Sequence, residues 1–143
     1  VVVLPTKTVP QGISAMLAAD PDASEEDNTA AMTDGFASVR TSEITYAARD
    51  SDFDGFAIHQ GDYLALVEHQ LFGTDQDLTA MLERLARSEG HQEAEFISIF
   101  YGEDVTEEQA RRAEEIFAKA CPNAEVTLLA GGQPIYYYMI SAE

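Results

Sequence analysis

The sequence has one cysteine, no tryptophan and only two lysines, Lys7 and Lys119, in 143 residues. A single thiol, Cys121, excludes an internal disulfide framework and a zinc site built on several thiolates. Positive charge is scarce throughout: 8 Lys and Arg stand against 26 Asp and Glu, a formal net charge of −18. Phosphate backbones and anionic membrane surfaces are bound through Lys and Arg, so this composition argues against nucleic acid and lipid headgroups as partners. Apolar runs are short. None approaches the ~20 residues that cross a bilayer, and no secretory signal is recognisable, which points to a cytoplasmic protein without a transmembrane segment. What is present is a hydrophobic content of 45%, enough for the core of one ordinary domain.

Strand and helix signals alternate along the chain. Val1–Leu4 reads as a buried strand with no turn before it, so residues 1–143 are expected to be a single domain that begins inside its own first strand, a piece of a longer protein. Pro10 favours a helix start, with Ile13, Met16 and Leu17 at helical spacing until Asp20-Pro21. Ser24 starts a second helix whose first turn, Glu25-Glu26-Asp27, complements the dipole, with Met32, Phe36 and Val39 as its apolar stripe. Ile44, Tyr46 and Ala48 alternate with Thr45, Ala47 and Arg49 as in a half-buried strand. Phe56–Ile58, Tyr63–Val67 and Leu71–Phe72 continue as an antiparallel meander. Thr74 and Asp75 stand as caps of an amphipathic helix with Leu78, Met81, Leu82 and Leu85 on one face. Phe96–Tyr101 is a continuous apolar strand, the pattern of burial on both faces. Thr106 and Gln109 form a capping box, followed by Ala110, Ala113, Ile116 and Phe117, and then by a strand at Val126–Leu129, so residues 96–129 read as a right-handed βαβ unit. A loop, Gly131-Gly132-Gln133-Pro134, leads to a last strand at Ile135–Ile140. The expected fold class is α/β: a mixed β-sheet with flanking helices and a central antiparallel meander.

Two loops carry the chemistry that binding would need. Thr6, Lys7, Thr8, Gln11 and Gly12 lie between the first expected strand and a helix N-terminus, where N–H groups and the dipole favour an anion. Gly131, Gly132 and Gln133 allow close backbone approach and offer an amide donor and acceptor. Together they are candidates for holding a phosphate or carboxylate, although each also serves as a cap or a tight turn. Asp50-Ser51-Asp52-Phe53-Asp54-Gly55 starts like a calcium loop, but Gly61 occupies the twelfth position, where a bidentate Glu is required. An acidic hairpin turn at Asp54-Gly55 is expected there instead. His59, His69 and His91 lack metal-site spacing, and no catalytic constellation or metal site is recognisable.

Several segments in order resemble one family. Leu4-Pro5-Thr6-Lys7-Thr8-Val9-Pro10-Gln11-Gly12-Ile13 is similar to the PTK(S/T)xPQG stretch in the C-terminal domain of the A component of bacterial fatty acid kinase, which is dihydroxyacetone-kinase-like and DegV-related. Arg40-Thr41-Ser42-Glu43-Ile44-Thr45-Tyr46-Ala47-Ala48-Arg49-Asp50 resembles its RTGEVTYAVRD segment, with Ser42 in place of the usual glycine. Gly61-Asp62-Tyr63-Leu64, Tyr101-Gly102-Glu103-Asp104-Val105 and Gly131-Gly132-Gln133-Pro134-Ile135-Tyr136-Tyr137-Tyr138 follow in the family's order, while Glu68-His69-Gln70 replaces an Asp-Gly turn. The resemblance implies a fold similar to DegV and dihydroxyacetone kinase. It also implies a parent whose kinase domain, using ATP and magnesium, phosphorylates the acyl carboxylate presented by a DegV-type fatty-acid-binding protein. This chain would then be a non-catalytic docking domain for that partner, with no cofactor of its own. A small-molecule site with kinase- or phosphatase-like activity and a homodimerisation module are the alternatives.

Overall fold

The computed structural model describes residues 1–53 and 55–143. Helix α1 (Val9–Leu17) begins where extended Thr8 accepts the Gln11 N–H, with Pro10 in the first turn, where its missing N–H costs nothing. Helix α2 (Glu25–Ala37) is capped by Ser24 and carries three acidic residues at its positive end. Then follow β1 (Arg40–Tyr46), β2 (Ser51–Phe53), β3 (Phe56–Ile58), β4 (Tyr63–Val67), β5 (Gln70–Asp75), α3 (Leu78–Ala86), the single turn α4 (Glu89–Gln92), β6 (Phe96–Tyr101), α5 (Glu107–Ala120), β7 (Glu125–Ala130) and β8 (Tyr138–Ala142). Six strands form one sheet in the order β5-β4-β1-β8-β6-β7, while β2 and β3 pair only with each other. All pairings in the large sheet are antiparallel except β6 with β7, which flank α5 as the βαβ pattern requires. This is the mixed α/β architecture expected.

The core lies on one face of the sheet. Met81, Leu82 and Leu85 of α3 and Ala110, Ala113 and Phe117 of α5 pack against Ile44, Ala65, Ile97, Ile99, Tyr138 and Ile140. Each fully buried Leu, Ile, Met or Phe side chain among these contributes about 1.5–3 kcal/mol. The capping box of α5 is present in both halves, Thr106 Oγ1 accepting from Gln109 N and Gln109 Oε1 from Thr106 N.

Several elements differ from the sequence expectation. Val1–Leu4 is not a strand: both sheet edges, β5 and β7, run without it, and Val2 and Leu4 instead line a groove beside Met16, Pro21 and Met32 of the α1–α2 pair. The cap of α3 is Asp77, whose carboxylate accepts the Thr79 and Ala80 N–H groups, because Thr74 and Asp75 are still paired in β5. The meander of the chain's middle keeps β1, β4 and β5 adjacent in the large sheet and sheds β2–β3 as a separate hairpin. The expected Asp54-Gly55 turn includes Asp54, which lies outside the described residues. The last strand begins at Tyr138, since Pro134 and a left-handed Ile135 (φ 72°) hold the preceding residues out of the ladder. Strand β1 is buried on both faces over Thr41–Ile44 and open beyond, rather than alternating as Ile44, Tyr46 and Ala48 suggested. In β6 only the Ile97 and Ile99 face is fully buried; Phe96 is 51% exposed.

Candidate functional site

Strand geometry fixes what occupies the sheet's second face. Side chains alternate sides, so residues between the core positions point away from α3 and α5. The registers Leu66↔Leu71, Glu43↔Leu66, Glu43↔Met139, Phe100↔Met139 and Phe100↔Leu129 align one row across all six strands: Leu71, Leu66, Glu43, Met139, Phe100, Leu129. A second row, Thr41↔Ser141, Ser98↔Ser141 and Ser98↔Thr127, is entirely hydroxylic. None of the first row's Leu, Met and Phe side chains belongs to the core cluster; Leu66, Leu71, Met139 and Phe100 are half-buried and Leu129 is 42% exposed. The second face is thus an apolar band with one carboxylate at its middle and no Lys or Arg in either row.

Both candidate loops border this face, at opposite ends. Thr8 Oγ1 and Thr41 Oγ1 share a hydrogen bond of 2.7 Å, Gln11 Nε2 donates to Val39 O at 3.5 Å, and Ser14 Oγ donates to Glu143 at 2.8 Å, which moors α1 at the Arg40 end of β1. Gln11 Oε1 is occupied by the Lys7 N–H at 2.8 Å; the Lys7 side chain is exposed, Thr6 is half-buried, and Gly12 lies inside α1. At the Tyr46 end, Thr45 Oγ1 donates to Ile135 O at 3.1 Å, and Gln133 Nε2 reaches Phe100 O and Tyr136 O at 3.0 and 3.3 Å. The N–H groups of Gly131 and Gly132 both donate to Tyr101 O, at 3.0 and 3.1 Å. Thr41 and Thr45 are four residues apart, about 13 Å at the usual rise per strand residue. The Thr6–Gly12 and Gly131–Gln133 segments therefore do not share one pocket; they frame the two ends of one surface.

One strained and exposed residue lies at the Tyr46 end. Ile135 is a β-branched residue at φ 72° and is 73% exposed. Such backbone costs about 1–2 kcal/mol and persists where surrounding contacts impose it. Here the grip of Gln133 and Thr45 on the loop supplies them. Below it, on the core side, Tyr46, Tyr63 and Tyr137 form an edge-to-face trio with centroids 5.7 to 6.5 Å apart. Tyr138 is fully buried, donates to Gln109 O at 3.3 Å, and burial pushes its hydroxyl pKa up to about 12.

His91, Ser88 and Ser42 form a buried cluster under α4. Cys121 is buried at the end of α5, its Sγ donating to Ala86 O at 3.3 Å, and burial raises its pKa away from the reactive thiolate. A groove of about 580 Å³ between α3 and α5 gathers Arg87, Arg112 and Lys119, but Glu83 and Glu115 line it too and Arg112 pairs with Glu108 at 2.6 Å. No three His, Cys, Asp or Glu converge as metal ligands among the described residues. No helix among them is long and apolar enough to cross a membrane.

Glu43 and the apolar row are not identified by the sequence pattern, which assigns the second-face residues of β1 to solvent. The available signal is Phe96–Tyr101, a strand apolar on both faces.

The family of FakA-like C-terminal domains, defined by the C-terminal part of the fatty acid kinase A component, matches residues 1–143. Protein YloV of Bacillus subtilis is 35% identical over 143 residues, covering 100% of this chain and 26% of YloV. Uncharacterized protein SH1689 of Staphylococcus haemolyticus is 34% identical over 142 residues, 99% of this chain and 26% of that protein. The chain thus spans about a quarter of the length of these relatives. Among solved structures, a DegV-family protein from Ruminococcus gnavus, refined with vaccenic acid, superposes with a TM-score of 0.54 at 8% identity, covering 93% of this chain and 54% of that one. The fatty acid binding DegV family protein SAG1342 from Streptococcus agalactiae gives 0.50 at 12% identity, over 94% and 55%. These two likenesses establish the DegV-like fold.

Proposed function

The chain belongs to the FakA-like family of fatty acid kinase C-terminal domains, and on that premise we propose that it is the docking domain of such a kinase. It would hold a DegV-type fatty-acid-binding protein so that the acyl carboxylate is presented to an ATP- and magnesium-dependent kinase domain elsewhere in the whole protein, in the cytoplasm. The observation that carries this reading is the second face of the sheet. An apolar row five residues rich, framed by two anchored loops, suits a protein contact, whereas the described residues gather no group of three metal ligands and the serine–histidine cluster at His91 is buried. A net charge of −18 would speed association with a basic partner and make it salt-sensitive.

The test is calorimetric titration of the 143-residue chain with the purified DegV-type protein of the same organism, loaded with fatty acid, at low and high sodium chloride. Saturable binding that weakens with salt is expected. Absence of binding by the folded chain, or turnover of ATP or acyl phosphate by the chain alone, overturns the proposal.

A further inference from the structure

Glu43 is the one ionisable side chain in the apolar row, and only 7% of it is exposed. Its neighbours across the two adjacent ladders are Leu66 and Met139. It has no hydrogen-bond or ion-pair partner among the described residues, and its unpartnered carboxylate oxygens are not sealed from water. Arg40, the cation nearest in sequence, points to the other side of the sheet, where its guanidinium packs over Gly90 of α4. Other carboxylates lie near its margins: Glu125 and Glu143 by strand alternation, and Glu68, which accepts the Thr41 N–H at 2.8 Å. A carboxylate so little exposed, flanked across the strands by Leu66 and Met139 and along β1 by Thr41 and Thr45, gains from a charge-assisted hydrogen bond with a partner's cation.

We infer that Glu43 is the anchor of the docking surface: it receives a guanidinium or ammonium that the partner presents at the centre of an apolar patch, with Leu66, Met139, Phe100 and Leu129 forming the surrounding contact. Arg is enriched among the few residues that dominate protein interfaces, and exclusion of water by apolar neighbours is what makes such a pair count. Charge selects this occupant over a second copy of the chain. Two copies packed by this face would bring together carboxylates, with no Lys or Arg in either row and a charge of −18 on each. The hydroxyl row of Ser98, Thr127 and Ser141 supplies a polar margin on one side.

This inference rests on the docking role and is tested so that the two separate. Glu43→Gln keeps the shape and removes the charge; Leu129→Ser alters the exposed end of the row on edge strand β7, where the fold depends on it least. Both variants, checked by circular dichroism and thermal melting, are titrated against the fatty-acid-loaded DegV-type protein. Glu43→Gln is expected to weaken binding at least about tenfold, as for a buried interfacial charge, and to flatten its salt dependence; Leu129→Ser weakens binding and leaves that dependence intact. Wild-type affinity in a folded Glu43→Gln variant, or in Leu129→Ser should Glu43→Gln not fold, overturns this surface while docking stands. Self-association of the chain that Leu129→Ser abolishes overturns the heterologous occupant. No binding by the wild-type chain overturns both.

Discussion

His91 shows how one buried side chain sets a limit on the whole fold. Only 3% exposed, it lies edge-on to Phe117 with centroids 5.4 Å apart. Ser88 Oγ donates to Leu85 O at 2.6 Å, so it accepts from Nδ1, 2.9 Å away; this places the ring proton on Nδ1 and leaves Nε2 free to accept from Ser42 Oγ at 3.5 Å. A neutral ring satisfies this arrangement and a charged one does not. Burial lowers the His91 pKa from 6.5 to about 4; the Leu85 carbonyl opposes the change and the positive charge of Arg40 adds to it. Unfolded chains therefore take up a proton near pH 6.5, which the folded protein refuses until about pH 4. The associated stability is complete above the unfolded value and is lost as the pH falls toward the folded one. Unfolding free energy, measured by urea titration, should drop by about 2 kcal/mol between pH 6.5 and about pH 5. His91→Gln should remove that slope, and an unchanged slope in the variant would show that other groups produce it.

At the scale of elements, the 131–137 segment depends on a single missing side chain. A Cβ on Gly102 would fall on the Tyr136 carbonyl oxygen and within 2.7 Å of that of Gln133, both backbone atoms that cannot swing aside. Close approach there lets Gly102 N donate to Tyr137 O at 2.9 Å and Glu103 N to Gln133 O at 3.1 Å. Gly102→Ala should cost about 1–3 kcal/mol, the usual penalty of overpacking. It should also accelerate amide exchange at Gly131 and Gly132, with α3 and α5 unaffected. Gly12→Ala is the control: nothing lies within 4 Å of its Cβ position, and inside α1 the change should stabilise by up to about 1 kcal/mol. Equal effects of the two substitutions on the melting temperature would refute this account. Elements ruled by local chemistry were legible in the sequence. The Thr8, Ser24 and Thr106 caps and the α5 stripe lie where the pattern put them, because a cap needs only residues within one turn. What was illegible depended on distant partners. Val1–Leu4 has strand composition and no strand to pair with, while Asp77 outranks Thr74 and Asp75 as a cap because β4 holds those two in its ladder. The candidate loops were legible as polar segments at a helix start and a glycine turn; that they are anchored at opposite ends of one face, with Glu43 between, follows from a register that no local pattern encodes.

Over the whole molecule the governing quantity is the excess of negative charge. Three ion pairs are present among the described residues: Arg84 with Asp75 at 3.6 Å, and Arg111 with Glu107 and Arg112 with Glu108, each at 2.6 Å on the outside of α5. Such exposed pairs contribute at most about 1 kcal/mol each, and they engage only a few of 26 acidic residues. The remaining carboxylates repel one another more in the compact state than in the expanded one, so the fold carries an electrostatic cost that counterions relieve. Thermal stability should therefore rise as sodium chloride is increased at neutral pH, the reverse of what a protein held by its surface ion pairs would show. Association with a basic partner should change in the opposite direction, since the same screening weakens attraction between molecules. Melting curves and titrations across one salt series thus separate the two effects of a single charge distribution. A melting temperature that falls with salt would mean that the few ion pairs outweigh the repulsion, and the acidic surface would then have to be assigned a role in holding the fold.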